Sequence, residues 1–175
     1  MSSDDVVYKS KGALLGFLAE NLTLTRPSFF AYISGADQTW SDVGGGQWTT
    51  VEFNGELYAS DDFANYTFTA PLDGRYFLCT TVLCEQVEDW WDQVWIRFII
   101  NDTSDIYGQR ISPDPAFAGD ASRWALSNSA VVQLDEGDTV KVQVRGYNSS
   151  STITMTLSGG SAGSVYCHFS GHMLG

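Results

Sequence analysis

With 175 residues, 43% of them apolar, the chain has the length for one domain and the apolar content for one core. Only 17% of residues are charged against 14% aromatic and 17 glycines, a balance that suits strands and turns. A formal net charge of −12 argues against nucleic acid as a partner, because the surface would repel phosphates. No apolar run reaches the ~18 residues that membrane insertion by a spanning helix requires.

Residues 1–27 read as an N-terminal arm that ends at Arg26-Pro27. Its centre, ALLGFLA at Ala13 to Ala19, follows Lys9 and Lys11 and faintly resembles a secretory leader. Asp4 and Asp5 spoil the basic region and no small-x-small cleavage site follows, so the segment reads as an ordered docking arm. Leu14, Leu15, Phe17 and Leu18 would make its contacts. Gly12 and Gly16 each cost a helix about 1 kcal/mol, which favours extended structure with at most one helical turn.

Beyond the arm, residues 28–175 alternate between strands and turns. Gly35 to Gln47, Gln86 to Asp92 and Ser112 to Asp120 are irregular, the places for variable surface chemistry. RYFLCTTVLC (Arg75 to Cys84) and VWIRFII (Val94 to Ile100) are strands apolar on both faces. A sandwich strand has one core face, so the second is expected to meet a neighbouring subunit. TVKVQVR (Thr139 to Arg145) and TITMTL (Thr152 to Leu157) alternate, and each should put one face on the core and one in water. The turns Leu72-Asp73-Gly74, Asp135-Glu136-Gly137-Asp138 and Asn148 to Ser151 separate strands.

Several side chains merit a chemical reading. Glu88-Asp89-Trp90-Trp91-Asp92 sets two tryptophans in an acidic loop. Either an exposed indole stacks on a sugar or anchors a protein, or Trp90 caps the sandwich while Trp91 packs on a neighbouring subunit. Gly159-Gly160-Ser161-Ala162-Gly163 matches a nucleophile elbow in letters only, since the segment after it reads as a strand and not a helix. The acids at Asp61-Asp62 and Asp102 to Asp105 lack the dense ladder of a calcium loop, so solvated loop acids are expected and no cofactor is assigned. Cys79 and Cys84 lie about 16 Å apart along one strand, beyond disulfide reach, and Cys167 makes the count odd. Cys167 could pair with one of them, but three buried thiols, and assembly in a reducing cytoplasm, are the expectation. Sequons at Asn21, Asn65, Asn101 and Asn148 are the argument for an extracellular alternative.

Four strings in order, RPSFFAY at Arg26 to Tyr32, FTAPLDGRYF at Phe68 to Phe77, LDEGDTVKV at Leu134 to Val142 and FSGHML at Phe169 to Leu174, carry a family resemblance. The chain resembles the globular head of complement component 1q, within the tumour necrosis factor-like superfamily, from about Phe29 to Leu174. The resemblance implies an all-β fold, a ten-stranded jelly roll of two antiparallel sheets that assembles as a homotrimer. It also implies that the last strand belongs to the interface sheet, and some relatives of this kind bind calcium.

Alternation then sets Cys167, Phe169, Gly171 and Met173 on the core, and His168, Ser170, His172 and Leu174 toward the other subunits. Four residues apart, His168 and His172 are about 13 Å distant and cannot share one metal ion within a chain. His172 would meet its own copies near the threefold axis, where it could sense pH. No collagen-like stalk is read. The expected function is therefore a non-enzymatic trimer assembled in a host cytoplasm as a bacteriophage virion part. A capsid decoration trimer docking on virion proteins fits better than a fibre tip. The alternative is a secreted or surface module recognising a host protein or glycan.

Overall fold

A computed structural model describes residues 26–40, 46–58, 61–86, 92–112, 123–148 and 154–174. The arm residues Leu14, Leu15, Phe17 and Leu18, and Asp89, Trp90 and Trp91 of the acidic loop, lie outside the described residues. Among the described residues thirteen strands run in two sheets: β1 Ser28–Tyr32, β2 Gln38–Trp40, β3 Thr49–Thr50, β4 Gly55–Tyr58, β5 Phe63–Ala64, β6 Thr67–Thr69, β7 Gly74–Gln86, β8 Gln93–Ile100, β9 Ser104–Ile111, β10 Arg123–Leu134, β11 Thr139–Tyr147, β12 Met155–Leu157 and β13 His168–Met173. One sheet is ordered β2-β12-β7-β13-β1-β4 with β10 also on β7, and the other β5-β6-β11-β8-β9 with β3 on β11. Every strand pairing is antiparallel, as a jelly roll requires. The count exceeds ten because several pieces are only two or three residues long, such as β3 and β5.

The strings FTAPLDGRYF and LDEGDTVKV are neighbours in space, and their turn residues hold each other. Gly137 N–H donates to the Ala70 carbonyl at 2.7 Å, and Ala70 N–H to the Asp138 carbonyl at 2.8 Å. Asp73 accepts from Glu136 N–H at 2.6 Å. Gly137 sits at φ +90, a conformation glycine adopts without a Cβ penalty. The Tyr76 hydroxyl, buried at the start of β7, donates to the Leu72 carbonyl at 2.8 Å and so locks the Pro-Leu-Asp-Gly turn onto its strand. Burial pushes the Tyr76 phenol up.

Phenylalanines fill the space between the sheets. Phe29 stacks on Phe68 at 4.5 Å and meets the edge of Phe169 at 4.8 Å, while Phe98 lies 5.6 Å from Phe169. Three of the four strings therefore contribute to one aromatic cluster. Gly171 leaves room for it: a Cβ there would come within 2.7 Å of Leu78 and 2.8 Å of Phe29.

Three expectations change. Only Met155–Leu157 of the TITMTL segment is a described strand, and Thr156 faces no water. It lies between β2 and β7, where its hydroxyl meets that of Thr39 at 3.1 Å, so burial leaves no polar group unpaired. Cys79 is half-buried where Cys84 and Cys167 are fully buried, because odd residues of β7 point away from the core. The outward face of β8 is covered by the chain's own side chains, with Arg97 and Ile99 only 9% and 7% exposed, so it needs no second subunit to bury it.

Candidate functional site

The outward face of the first sheet is built by β1, β13, β7 and β10. Register makes three cross-strand rows: Ser28–His172–Phe77–Val131, Phe30–Ser170–Cys79–Ser129 and Tyr32–His168–Thr81–Ser127. None of these twelve residues is a carboxylate, lysine or arginine. Phe30 stacks on His168 at 5.1 Å, His172 lies 5.6 Å from Phe77, and the Thr81 and Ser127 hydroxyls meet at 3.0 Å. Tyr32 is buried on this face because it packs over Gly55 of β4, where a Cβ would come within 2.8 Å of its ring. Val131 is 57% exposed and Tyr58, beside Phe30, 56%. Charges stand only at the ends: Arg75 opposite Gln133, and Glu85 paired with Arg123 at 2.9 Å.

The predicted residues His168, Ser170 and His172 share this face, and Leu174 follows the strand, donating its N–H to the Arg75 carbonyl at 2.7 Å. His168 is half-buried, and that burial lowers its pKa below the usual imidazole value. His172 is exposed. Asp92 is the one described member of the predicted ligand loop, and its N–H donates to the Tyr147 carbonyl at 2.9 Å. Phe77 and Cys79 belong to the strand face that the sequence already turned toward a subunit, whereas Phe30, Ser129 and Val131 escaped the sequence reading. Alternation gives the parity of each within its strand, but not which strands lie side by side.

The outward face of the second sheet differs in kind. Its rows are Arg145–Trp95–Arg110, Gln143–Arg97–Tyr107 and Lys141–Ile99–Asp105, each with a β8 residue flanked by one residue of β11 and one of β9. Arg97 pairs with Asp105 at 2.6 Å, donates to Gln143 Oε1 and lies 4.1 Å beneath the Trp48 ring. Lys141 holds Asp102 at 2.8 Å. The sequence signal for this face, three arginines near two tryptophans in a chain of only nine basic residues, was present but unread.

The remaining motifs form no reactive constellation among the described residues. Ser161 lies in a turn closed by bonds to and from Ser164, after a bridge from Gly160 to Ser34, which is no strand-to-helix elbow. Gly159 is required there, since a Cβ would come within 2.3 Å of the Gly35 carbonyl. Burial raises the Cys84 thiol well above its ordinary value and that of Cys167 to about 11, so both stay protonated and unreactive at neutral pH. The Leu83 N–H points at Cys167 Sγ from 3.1 Å. Among the described residues no group of three or more His, Cys, Asp or Glu could hold a metal ion. No described helix is long and apolar enough to cross a membrane.

No protein-family model matches the sequence, and no curated protein is similar to it in sequence. The fold itself is similar to that of solved structures. The globular domain of zebrafish complement 1qA superposes with a TM-score of 0.53 at 16% identity, covering 85% of this chain and 98% of that one. Murine APRIL at pH 5.0 gives 0.57 at 13% identity, with 86% and 100% covered, and its pH 8.0 structure 0.56 at 12% identity, again with 86% and 100%. The architecture is thus the complement 1q and tumour necrosis factor-like jelly roll.

Proposed function

We propose that this chain is a non-enzymatic homotrimer that joins through the uncharged face of β1, β13, β7 and β10, and that it serves as a bacteriophage virion component. The observation that carries the reading is the set of three uncharged rows with Phe30, Phe77, Cys79 and Val131 turned away from the core. A sheet face that stays in water is normally lined by polar and charged side chains. This one carries no carboxylate, lysine or arginine and mixes Phe30, Tyr32, Phe77 and Val131 with short hydroxyl side chains and two histidines, which fits an obligate interface burying about 2,000–5,000 Å². Light scattering tests it: the mass should be three times 19.2 kDa, and a stable monomer at micromolar concentration would overturn it.

Within that reading a capsid decoration trimer is preferred to a fibre tip, docked through Leu14, Leu15, Phe17 and Leu18 of the arm. Unpaired, fully protonated Cys84 and Cys167 suit assembly in a reducing cytoplasm. Co-purification with capsids, lost on deleting residues 1–27 while the trimer survives, would support this role. Full attachment of the truncated protein would remove the arm from it. A secreted or surface recognition module is the second reading, favoured by the exposed sequon at Asn65 in a turn between β5 and β6. Asn101 is a poorer acceptor, because its amide already donates to Asp138 at 2.8 Å. A glycan mass shift on the natively expressed protein would decide for secretion.

A further inference from the structure

We propose that the outward face of the second sheet binds a carboxylated sugar, a uronate-containing oligosaccharide, seated on Trp48, Trp95 and Tyr107 with Arg110 and Arg145 taking its carboxylates. The row Arg145–Trp95–Arg110 places one indole between two guanidiniums across three strands. Arg110 lies 5.0 Å from the Trp95 ring, and Arg145 5.9 Å from both Trp95 and Trp48. Tyr107, 57% exposed, closes the group at 6.0 Å from Trp48 and 6.4 Å from Trp95.

The three arginines are not equivalent. Arg97 is spent: Asp105 neutralises it, Gln143 accepts from it and Trp48 covers it. Among the described residues, neither Arg110 nor Arg145 forms an ion pair with a carboxylate. Two cations held by one indole, two strands apart at ~4.8 Å per strand, repel each other until an anion joins them. A second observation points the same way. Trp95 Nε1 and Arg145 Nε are covered atoms with no hydrogen-bond acceptor among the described residues, so no polar group of the described chain satisfies this Arg–Trp pair at those nitrogens.

Chemistry selects the ligand class. Flat aromatic rings on an open sheet stack on the C–H faces of sugar rings, and guanidiniums pair with carboxylates in a bidentate way. A chain of net charge −12 repels dense polyanions, so one carboxylate per ring is a better match than a phosphate backbone. This face is opposite the one assigned to self-association, so it stays open in the trimer, where three copies would add avidity. The site is nonetheless complete within one chain and does not depend on that assembly.

The test is titration of the full-length protein with hexagalacturonate, followed by tryptophan fluorescence and calorimetry, with maltohexaose and inorganic phosphate as controls. Binding of the uronate that weakens about tenfold in Arg110→Gln and in Arg145→Gln, and falls as salt rises, is the expected result. Tyr107→Ala should weaken it several-fold at unchanged mass. Arg110 is exposed, so its variant remains informative even where Arg145→Gln fails to fold. No binding at millimolar uronate, equal binding of maltohexaose, indifference to Arg110→Gln, or equally strong competition by phosphate would each overturn the proposal. The trimer is tested separately, by mass.

Discussion

The two outward faces of this sandwich cover strands of similar apolar content in opposite ways. On β8 the outward residues Trp95, Arg97 and Ile99 are roofed by Arg110, Tyr107, Gln143, Arg145 and Trp48 of the same chain. Long side chains bury their stems and rings and send their charges to solvent or to one another. On β7 the outward residues Phe77, Cys79 and Thr81 have, among the described residues, His172, Ser170, His168, Val131, Ser129 and Ser127 as cross-strand neighbours, none long enough to make a roof. The lesson is that an apolar strand face does not by itself imply a partner. The reach of the residues across the neighbouring strands decides whether the cover is internal or is left to another molecule.

The largest expected effect comes from charging one face and then the other. Val131→Glu would set three carboxylates into the proposed interface and should abolish the trimer, weakening association more than a hundredfold while the monomer stays folded by circular dichroism. Lys141→Glu, on the opposite face, should leave the mass unchanged. If both variants behave alike, the two faces are not different in kind.

Beneath both faces lies the shared aromatic core, which Gly171→Ala would overfill. Leu78 and Phe29 are both fully buried and have little room to yield, so a loss of about 1–3 kcal/mol is expected in chemical denaturation. That loss should not depend on protein concentration, whereas a loss caused at the interface should.

A truncation on each face sharpens the contrast further. Trp48→Ala removes the lid over Arg97 and should cost about 1–2 kcal/mol at any concentration. Phe77→Ala should instead lower the melting temperature most steeply in dilute samples. Labelling of Cys79 by a thiol reagent offers a milder readout of the same face, fast in dilute protein and slowed as the trimer forms, while Cys84 and Cys167 stay unreactive in both.

The smallest effect is on pH dependence. Burial depresses the His168 pKa in the folded chain below its unfolded value of about 6.5. The unfolded chain then takes up the proton first, so the stabilising contribution is full above about pH 6.5 and declines as pH falls toward the folded pKa. His168→Phe, which keeps an aromatic partner for Phe30, should remove that decline. Melts of both proteins at pH 5 and pH 8 check it, and identical profiles would show that His168 is solvated. The His172 dependence expected from sequence can be read in the same experiment through His172→Phe.

What the residues alone determined is local. Asp73, Gly74, Gly137 and Asp138 specify turns through backbone freedom and short polar side chains. The alternation in Val140, Val142 and Val144, or in Cys167 and Phe169, specifies which side of a strand meets the core, and all five are fully buried. Those signals and the four matched strings were enough for the fold, and for putting His168, Ser170 and His172 on one face. Tertiary structure decided what lies beside each strand. Thr156 is buried because β2 and β7 flank β12, and Arg97 is buried because Trp48, nearly fifty positions earlier, lies over it. Strand parity is written into two consecutive residues, but side-by-side register joins residues distant in the chain. Only the closed sandwich could show that one face is roofed by the chain's own arginines and tryptophans, and that the uncharged face of the other sheet has no such roof among the described residues.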